Sequence, residues 1–198
     1  MAARIMKMDD VSISAAAETV RRGGILVYPT DTVYGLGCDP FNEAAVDRLF
    51  GVKGRGSKAV PVLCSSARQA MEIVSLNARA RELADAHWPG ALTIVAPLKK
   101  RVPQRLDQGS GLLGVRVPGL GSCIELIGAC GGWLTGTSAN LSGRPSSRTA
   151  QQAVEQLGDL VDLILDGGTL EGAESTVVQV SGDTVTILRT GPIGVETE

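Results

Sequence analysis

The sequence predicts an α/β fold: one domain, residues 1–198, with a twisted sheet of mixed parallel and antiparallel strands flanked by helices. Two patterns carry this reading. Helical apolar faces alternate with short apolar runs early in the chain, as in strands joined by helices. The chain then closes on two alternating runs joined by Gly182-Asp183, a hairpin signal that adds antiparallel pairing. Glycine contributes 25 of 198 residues, nearly twice the usual roughly 7%, which points to tight turns or close backbone approach to a ligand.

The elements follow in order. Ile13, Ala16, Ala17 and Val20 make a helical face that ends at Gly23-Gly24. "ILVY" (25–28) reads as a buried strand, and Asn42 caps a helix bearing Val46, Leu49 and Phe50. "AVPVLC" (59–64) reads as a strand with Pro61 at an edge. Two helical faces come next, Ala67, Ala70, Met71, Val74 and then Ala80, Leu83, Ala84, His87. "ALTIVAP" (91–97) and "LLGVRVP" (112–118) are strand-like. Ser122 with Glu125 and Thr149 with Gln152 each form a capping-box pattern, and Gly158 stops the second helix.

Composition excludes several classes. With 43% hydrophobic residues the chain supports a substantial core. A net charge of −2, from 19 basic and 21 acidic residues, gives no global positive field for nucleic acid. Two each of Trp, Tyr and Phe are too few for a base-stacking platform. No apolar stretch approaches 18 residues and no signal-peptide pattern opens the chain, so the expectation is a soluble, cytoplasmic protein without membrane contact. The four cysteines lack C-x-x-C spacing, and Cys123 and Cys130 share a helical stripe with Leu126 and Ile127. Buried, reduced thiols are expected.

The chemistry-bearing stretches are polar strand ends. "YPTDTVYGLG" (28–37) leaves an apolar run and presents Thr30, Thr32 and Tyr34, with Asp31 as a turn cap. "GVKGRGSK" (51–58) places Lys53, Arg55 and Lys58 among glycines, but Ser57 precedes Lys58, and the stretch joins helix to strand. A P-loop requires the reverse of both. "TGTSANLSG" (135–143) offers Ser138, Asn140 and Ser142 beside glycines, and "ESTVV" (174–178) places Ser175 and Thr176 at a strand entrance. Arg116 and Arg189 interrupt apolar strands, where a guanidinium needs an anionic partner or water. The only histidine, His87, lies on an apolar stripe, so a histidine-based triad lacks its base. Hydroxyls and guanidiniums at strand ends suit a polyanionic ligand such as a nucleotide.

The ordered series "PTDTVYGLG", "KGRG", "WPGALTIV", "VRVPG", "TSANLSG", "STVV", "LRTG" spans nearly the whole chain and resembles the YrdC family, the bacterial threonylcarbamoyl-AMP synthases, in its short form. The resemblance implies a YrdC-like fold with a concave basic cavity. It implies that L-threonine, bicarbonate or CO2, and ATP give threonylcarbamoyl-adenylate and pyrophosphate. Partner proteins then carry the threonylcarbamoyl group to the adenosine beside the anticodon of tRNAs that read codons beginning with A. It further implies ATP handling by Lys53, Arg55, Ser138, Asn140, Ser146 and Arg189, with Lys53 and Arg55 catalytic. Threonine is implied at Thr32, Arg116 and Ser175, and Mg2+ on the phosphates, with no side-chain ligand assigned to it; Asp31 either helps hold that ion or caps the turn, and the turn is preferred. The chain departs from many members at Gly56, Ala59 and Cys64, leaving an ATP contact at 59 and a threonine contact at 64 unassigned.

Two other readings keep the same residues. One is an RNA-binding protein of this fold without the chemistry, helped by Lys99, Lys100, Arg101 and Arg105 in contacting tRNA or double-stranded RNA. The other is a sister enzyme that adenylates a different carbamate or carbamoyl substrate. Because the implied reaction needs no protein nucleophile, positioned cations carry it. Arg55→Ala is therefore expected to raise the barrier by roughly 2–4 kcal/mol while shifting thermal unfolding little. Turnover assays beside a melting curve check this, and activity within a few-fold of the parent removes Arg55 from the machinery.

Overall fold

A computed structural model describes residues 3–54 and 59–196, which form eleven strands and seven helices. In chain order these are β1 (Arg4–Lys7), α1 (Asp10–Arg21), β2 (Leu26–Tyr28), β3 (Gly35–Gly37), α2 (Glu43–Lys53) and β4 (Val62–Cys64). Next come α3 (Ala67–Ile73), α4 (Ala78–His87), β5 (Leu92–Pro97), α5 (Gln104–Asp107), β6 (Leu112–Arg116) and α6 (Gly121–Ala129). The chain finishes with β7 (Trp133–Thr135), β8 (Thr137–Ser138), α7 (Ala150–Leu157), β9 (Leu163–Asp166), β10 (Thr176–Ser181) and β11 (Thr184–Arg189).

The strands divide between two mixed sheets. One has the order β1-β9-β2-β3-β8, the other β11-β10-β5-β6-β4-β7. β2 pairs parallel to β9 and antiparallel to β3, while β5 pairs parallel to β10 and antiparallel to β6. The closing hairpin forms as expected, with Ser181 opposite Thr184 across Gly182-Asp183. No helix among the described residues is long and apolar enough to cross a membrane.

Caps start the helices where short polar side chains reach the first free amides. Asp9 and Ser12 form a reciprocal box on α1, and Asn42 accepts from the Ala45 amide at 3.1 Å. Thr149 accepts from the Gln152 amide, but the Gln152 side chain accepts from Arg148 instead of closing the box on Thr149. The expected Ser122–Glu125 box does not form. α6 begins at Gly121 with Leu120 in the capping position, which places Ser122 inside the first turn. Pro61 is not at a sheet edge. β4 lies between β6 and β7, and Pro61 precedes its first paired residue.

Two apolar clusters hold the layers. α1 and α6 pack Ile13, Ala16, Val20, Cys123, Leu126 and Ile127 against residues of β2, β4, β7 and β9. The larger cluster fills the space under the remaining helices, including Leu49, Ile73, Leu92, Ile94 and Val115. The four thiols are free, as expected, and Cys38, Cys64 and Cys123 are buried; Cys130, at the end of its helix, is only partly so. Burial pushes the Cys38 and Cys130 thiols up to about 12 and raises those of Cys64 and Cys123 as well.

Glycines of the opening motif are explained by Tyr28. Its fully buried ring crosses β3, and its hydroxyl donates to the Thr135 carbonyl at 2.7 Å. A Cβ at Gly35 would lie 2.9 Å from that ring, and one at Gly37 2.8 Å from it. The sheets meet here as well. Thr135 ends β7 in one sheet, Thr137 begins β8 in the other, and Gly136 alone separates them. Gly37→Ala is expected to destabilise the fold by about 1–3 kcal/mol through overpacking. Gly128→Ala, at an exposed helical position with nothing within 4 Å, is expected to be neutral or stabilising. Urea unfolding of the two variants side by side checks the contrast.

Candidate functional site

Strand alternation builds the site. In β5, β6 and β10, Leu92, Ile94, Leu113, Val115, Val178 and Val180 face the core. The intervening residues point the other way. Thr93, Val95, Leu112, Gly114, Arg116, Val177 and Gln179 thus line a cavity of about 820 Å³, within the roughly 300–1,000 Å³ of small-molecule sites. The facing wall comes from the other sheet and its loops, with Thr30, Thr32, Tyr34, Thr137 and Ser138.

Arg116 is 4% exposed, so each of its contacts matters. Its Nε donates to the Gly90 carbonyl at 2.8 Å, one terminal nitrogen to Thr32 Oγ1 at 3.2 Å, and the other to Asp31 Oδ1 at 2.5 Å. Asp31, expected as a turn cap, is the anionic partner of this buried guanidinium. Thr30 holds the turn instead. Its Oγ1 donates to the Val33 carbonyl at 2.7 Å and accepts from the Thr32 amide at 3.1 Å.

A second hydroxyl–guanidinium group stands on neighbouring strands of the same sheet, β5, β10 and β11. Ser175 Oγ and Thr93 Oγ1 share a hydrogen bond of 2.9 Å. Arg189 donates from Nε to the Ser175 carbonyl at 2.9 Å and from a terminal nitrogen to Ser175 Oγ at 3.0 Å. Its remaining terminal nitrogen pairs with Glu174, whose other carboxylate oxygen accepts from Ser146 Oγ at 2.6 Å.

Lys53 closes the third side. Its Nζ donates to the Ser138 carbonyl at 2.7 Å, the Asn140 carbonyl at 2.9 Å and Asn140 Oδ1 at 3.1 Å. All three of its hydrogens are thereby engaged. Burial pulls its pKa down to about 8, opposed by the negative charge of Glu174. The Asn140 amide in turn donates to the Leu141 and Arg144 carbonyls, so Lys53 and Asn140 shape the 138–144 segment.

Of the residues singled out in the sequence, Thr32, Lys53, Arg116, Ser138, Asn140, Ser175 and Arg189 all line this one cavity. Ser146 joins through Glu174. Arg55 lies outside the described residues, with Gly56 to Lys58. Ala59 lines the cavity, whereas Cys64 is buried in the core. Glu174, Thr93 and Gln179 are also cavity-lining, and the sequence reading did not single them out. Thr93 carries a signal, as a polar residue in alternating "ALTIV"; Glu174 carries none without its partners. The second basic cluster makes surface contacts. Lys99 donates to the Met71 carbonyl at 2.8 Å, Lys100 lies 4.0 Å from the Phe41 ring centre, and Arg105 pairs with Asp47 at 2.9 Å.

Fold and cavity together define an α/β protein with a cavity of small-molecule size, apolar over much of its lining and set with hydroxyl and guanidinium groups, walled by two mixed sheets. The family model Sua5_yciO_yrdC, described as telomere recombination, matches residues 18–191, and the chain belongs to that family. It is 38% identical over 169 residues to a threonylcarbamoyl-AMP synthase of Idiomarina loihiensis, covering 81% of this chain and 89% of that protein. It is 33% identical over 193 residues to the threonylcarbamoyl-AMP synthase of Pyrococcus abyssi, covering 96% of this chain and 57% of that longer protein. The crystal structure of P. abyssi Sua5 complexed with L-threonine superposes with a TM-score of 0.89 at 32% identity, over 96% of this chain and 57% of that one. Escherichia coli YciO superposes with a TM-score of 0.86 at 29% identity, over 96% and 95% of the two chains.

The Arg116–Asp31 pair leads to a stability test. Arg116→Ala leaves a carboxylate half-enclosed without its partner and is expected to cost about 3 kcal/mol. Adding Asp31→Asn to Arg116→Met removes both charges and is expected to recover most of that loss. Chemical denaturation of the single and double variants measures the difference.

Proposed function

We propose that the chain makes L-threonylcarbamoyladenylate and pyrophosphate from L-threonine, bicarbonate or CO2, and ATP, the first step of threonylcarbamoyladenosine modification of tRNA. The observation that supports this best is the convergence of two hydroxyl–guanidinium groups, Thr32–Arg116 and Ser175–Arg189, on one cavity. One group suits an amino acid carboxylate and the other a phosphate. Relatives named for this activity agree with that reading.

Each side chain then has a task. Arg116 keeps terminal N–H groups beyond its three contacts for the threonine carboxylate, while Thr32 and Ser175 offer hydroxyls to the rest of the amino acid. Arg189 and Ser146 meet the ATP phosphates, a task that the family resemblance also gives to Arg55. Lys53 acts by holding Ser138 and Asn140 in place and by adding positive potential. The threonine amine, in its neutral form, forms a bond to the carbon of CO2 and loses a proton to give a carbamate. A carbamate oxygen attacks the α-phosphorus in line, the bond to the β-phosphate bridge breaks, and pyrophosphate leaves with the electron pair. Catalysis consists of alignment and charge neutralisation. The triphosphate arrives as its magnesium complex, so the ion is part of the substrate. The product passes to cytoplasmic proteins that transfer its threonylcarbamoyl group to tRNA.

Pyrophosphate release is expected only when ATP, L-threonine and bicarbonate are all present, and serine or valine in place of threonine is expected to support far less. A coupled pyrophosphate assay with amino acids supplied one at a time reads this out. Release that ignores threonine overturns the proposal and favours the sister-enzyme alternative.

A further inference from the structure

Glu174 is the one carboxylate among the described cavity-lining residues, and it stands where the proposed reaction brings four negative phosphate charges. Its two oxygens are divided. One accepts from Ser146, on the segment between β8 and α7, and the other pairs with Arg189 at the end of β11. Ser146 and Arg189 are both assigned above to phosphate. A carboxylate and a phosphate both present paired oxygens to a guanidinium, so they compete for the same donors.

We propose that Glu174 is an internal stand-in for phosphate: its carboxylate holds Arg189 and Ser146 until a phosphate group displaces it. This deepens the nucleotide reading above and rests on it. Three features make Glu174 an occupant and not a support. First, Arg189 is fixed without it, because Nε and one terminal nitrogen are bound to the Ser175 carbonyl and hydroxyl. The guanidinium therefore keeps its plane when Glu174 leaves. Second, the Glu174 and Arg189 side chains are 37% and 45% exposed, and pairs so exposed are weak enough to exchange. Third, the charge of Glu174 is felt at Lys53, so it opposes any anion entering the cavity. A single phosphate gains too little to dislodge it, whereas a polyphosphate that also meets the other cations gains enough. Glu174 thus sets a threshold that favours ATP over inorganic phosphate.

Glu174→Gln tests this, since it keeps the shape and the acceptor while deleting the charge. Calorimetric titration of the full chain with ATP, pyrophosphate and inorganic phosphate supplies the numbers. The variant is expected to bind pyrophosphate about fivefold more tightly than the parent, as removing a partly exposed ion-pair competitor implies. Its preference for ATP over inorganic phosphate is expected to shrink. Glu174→Ala, which also deletes the acceptor, is expected to move in the same direction, and melting curves confirm that both variants are folded. If the parent binds ATP but Glu174→Gln binds pyrophosphate equally or more weakly, Glu174 supports Arg189 and the stand-in role is overturned. If the parent binds neither ATP nor pyrophosphate, the nucleotide reading falls and takes this inference with it.

Discussion

A guanidinium with almost no access to water dictates much of this architecture. Arg116 ends β6 on the cavity face, where strand alternation leaves it no route back to the core. Removing such a charge from water is costly unless every donor finds a partner and an opposite charge stands near. Asp31, Thr32 and the Gly90 carbonyl meet that demand from two different loops. The polar segment after β2 is thereby drawn across from one sheet to the other. The Thr-Asp-Thr order follows from this. The first threonine ties the turn, the aspartate neutralises the arginine, and the last threonine is left facing the cavity with its oxygen already engaged.

Neighbouring strands of the same sheet repeat the arrangement with a different balance. Arg189 is also held by a serine and paired with a carboxylate, but its pair is open to solvent where that of Arg116 is enclosed. Both cations are anchored, but the carboxylate of one is locked in place and that of the other is exchangeable. Buried pairs persist because breaking them strands a charge, while exposed pairs are held only loosely. This difference separates a rigid half of the cavity from an adaptable one. Lys53 belongs to the rigid half, since its ammonium is spent on backbone carbonyls of the 138–140 segment.

Local signals in the sequence were read correctly where the physics is local. The caps at Asn42 and Thr149, the Gly182-Asp183 turn, and the apolar faces of α1 and α4 all depend on residues a few positions apart. The motif residues Thr32, Ser138, Ser175 and Arg189 were legible through family resemblance and do line one cavity. Most of what escaped depends on distant partners, the capping box at 122–125 being a local exception. The split into two sheets rests on three-residue strands such as β3 and β7, too short to carry a periodic pattern. The S-x-x-E box at 122–125 failed because the helix starts one residue before the serine that would have capped it. Asp31 and Glu174 look like ordinary turn and loop acids until their arginines, 85 and 15 positions away, are placed beside them.

The crossing at Gly136 has a mechanical consequence. A backbone that changes sheets over one residue works like the spine of a book, so the two covers cannot part without straining the binding. The Thr135 amide and carbonyl are stitched to Cys38 and Tyr28 at that same seam. Jaw-like opening about this line would have to break both of those hydrogen bonds, which favours a seam of constant width.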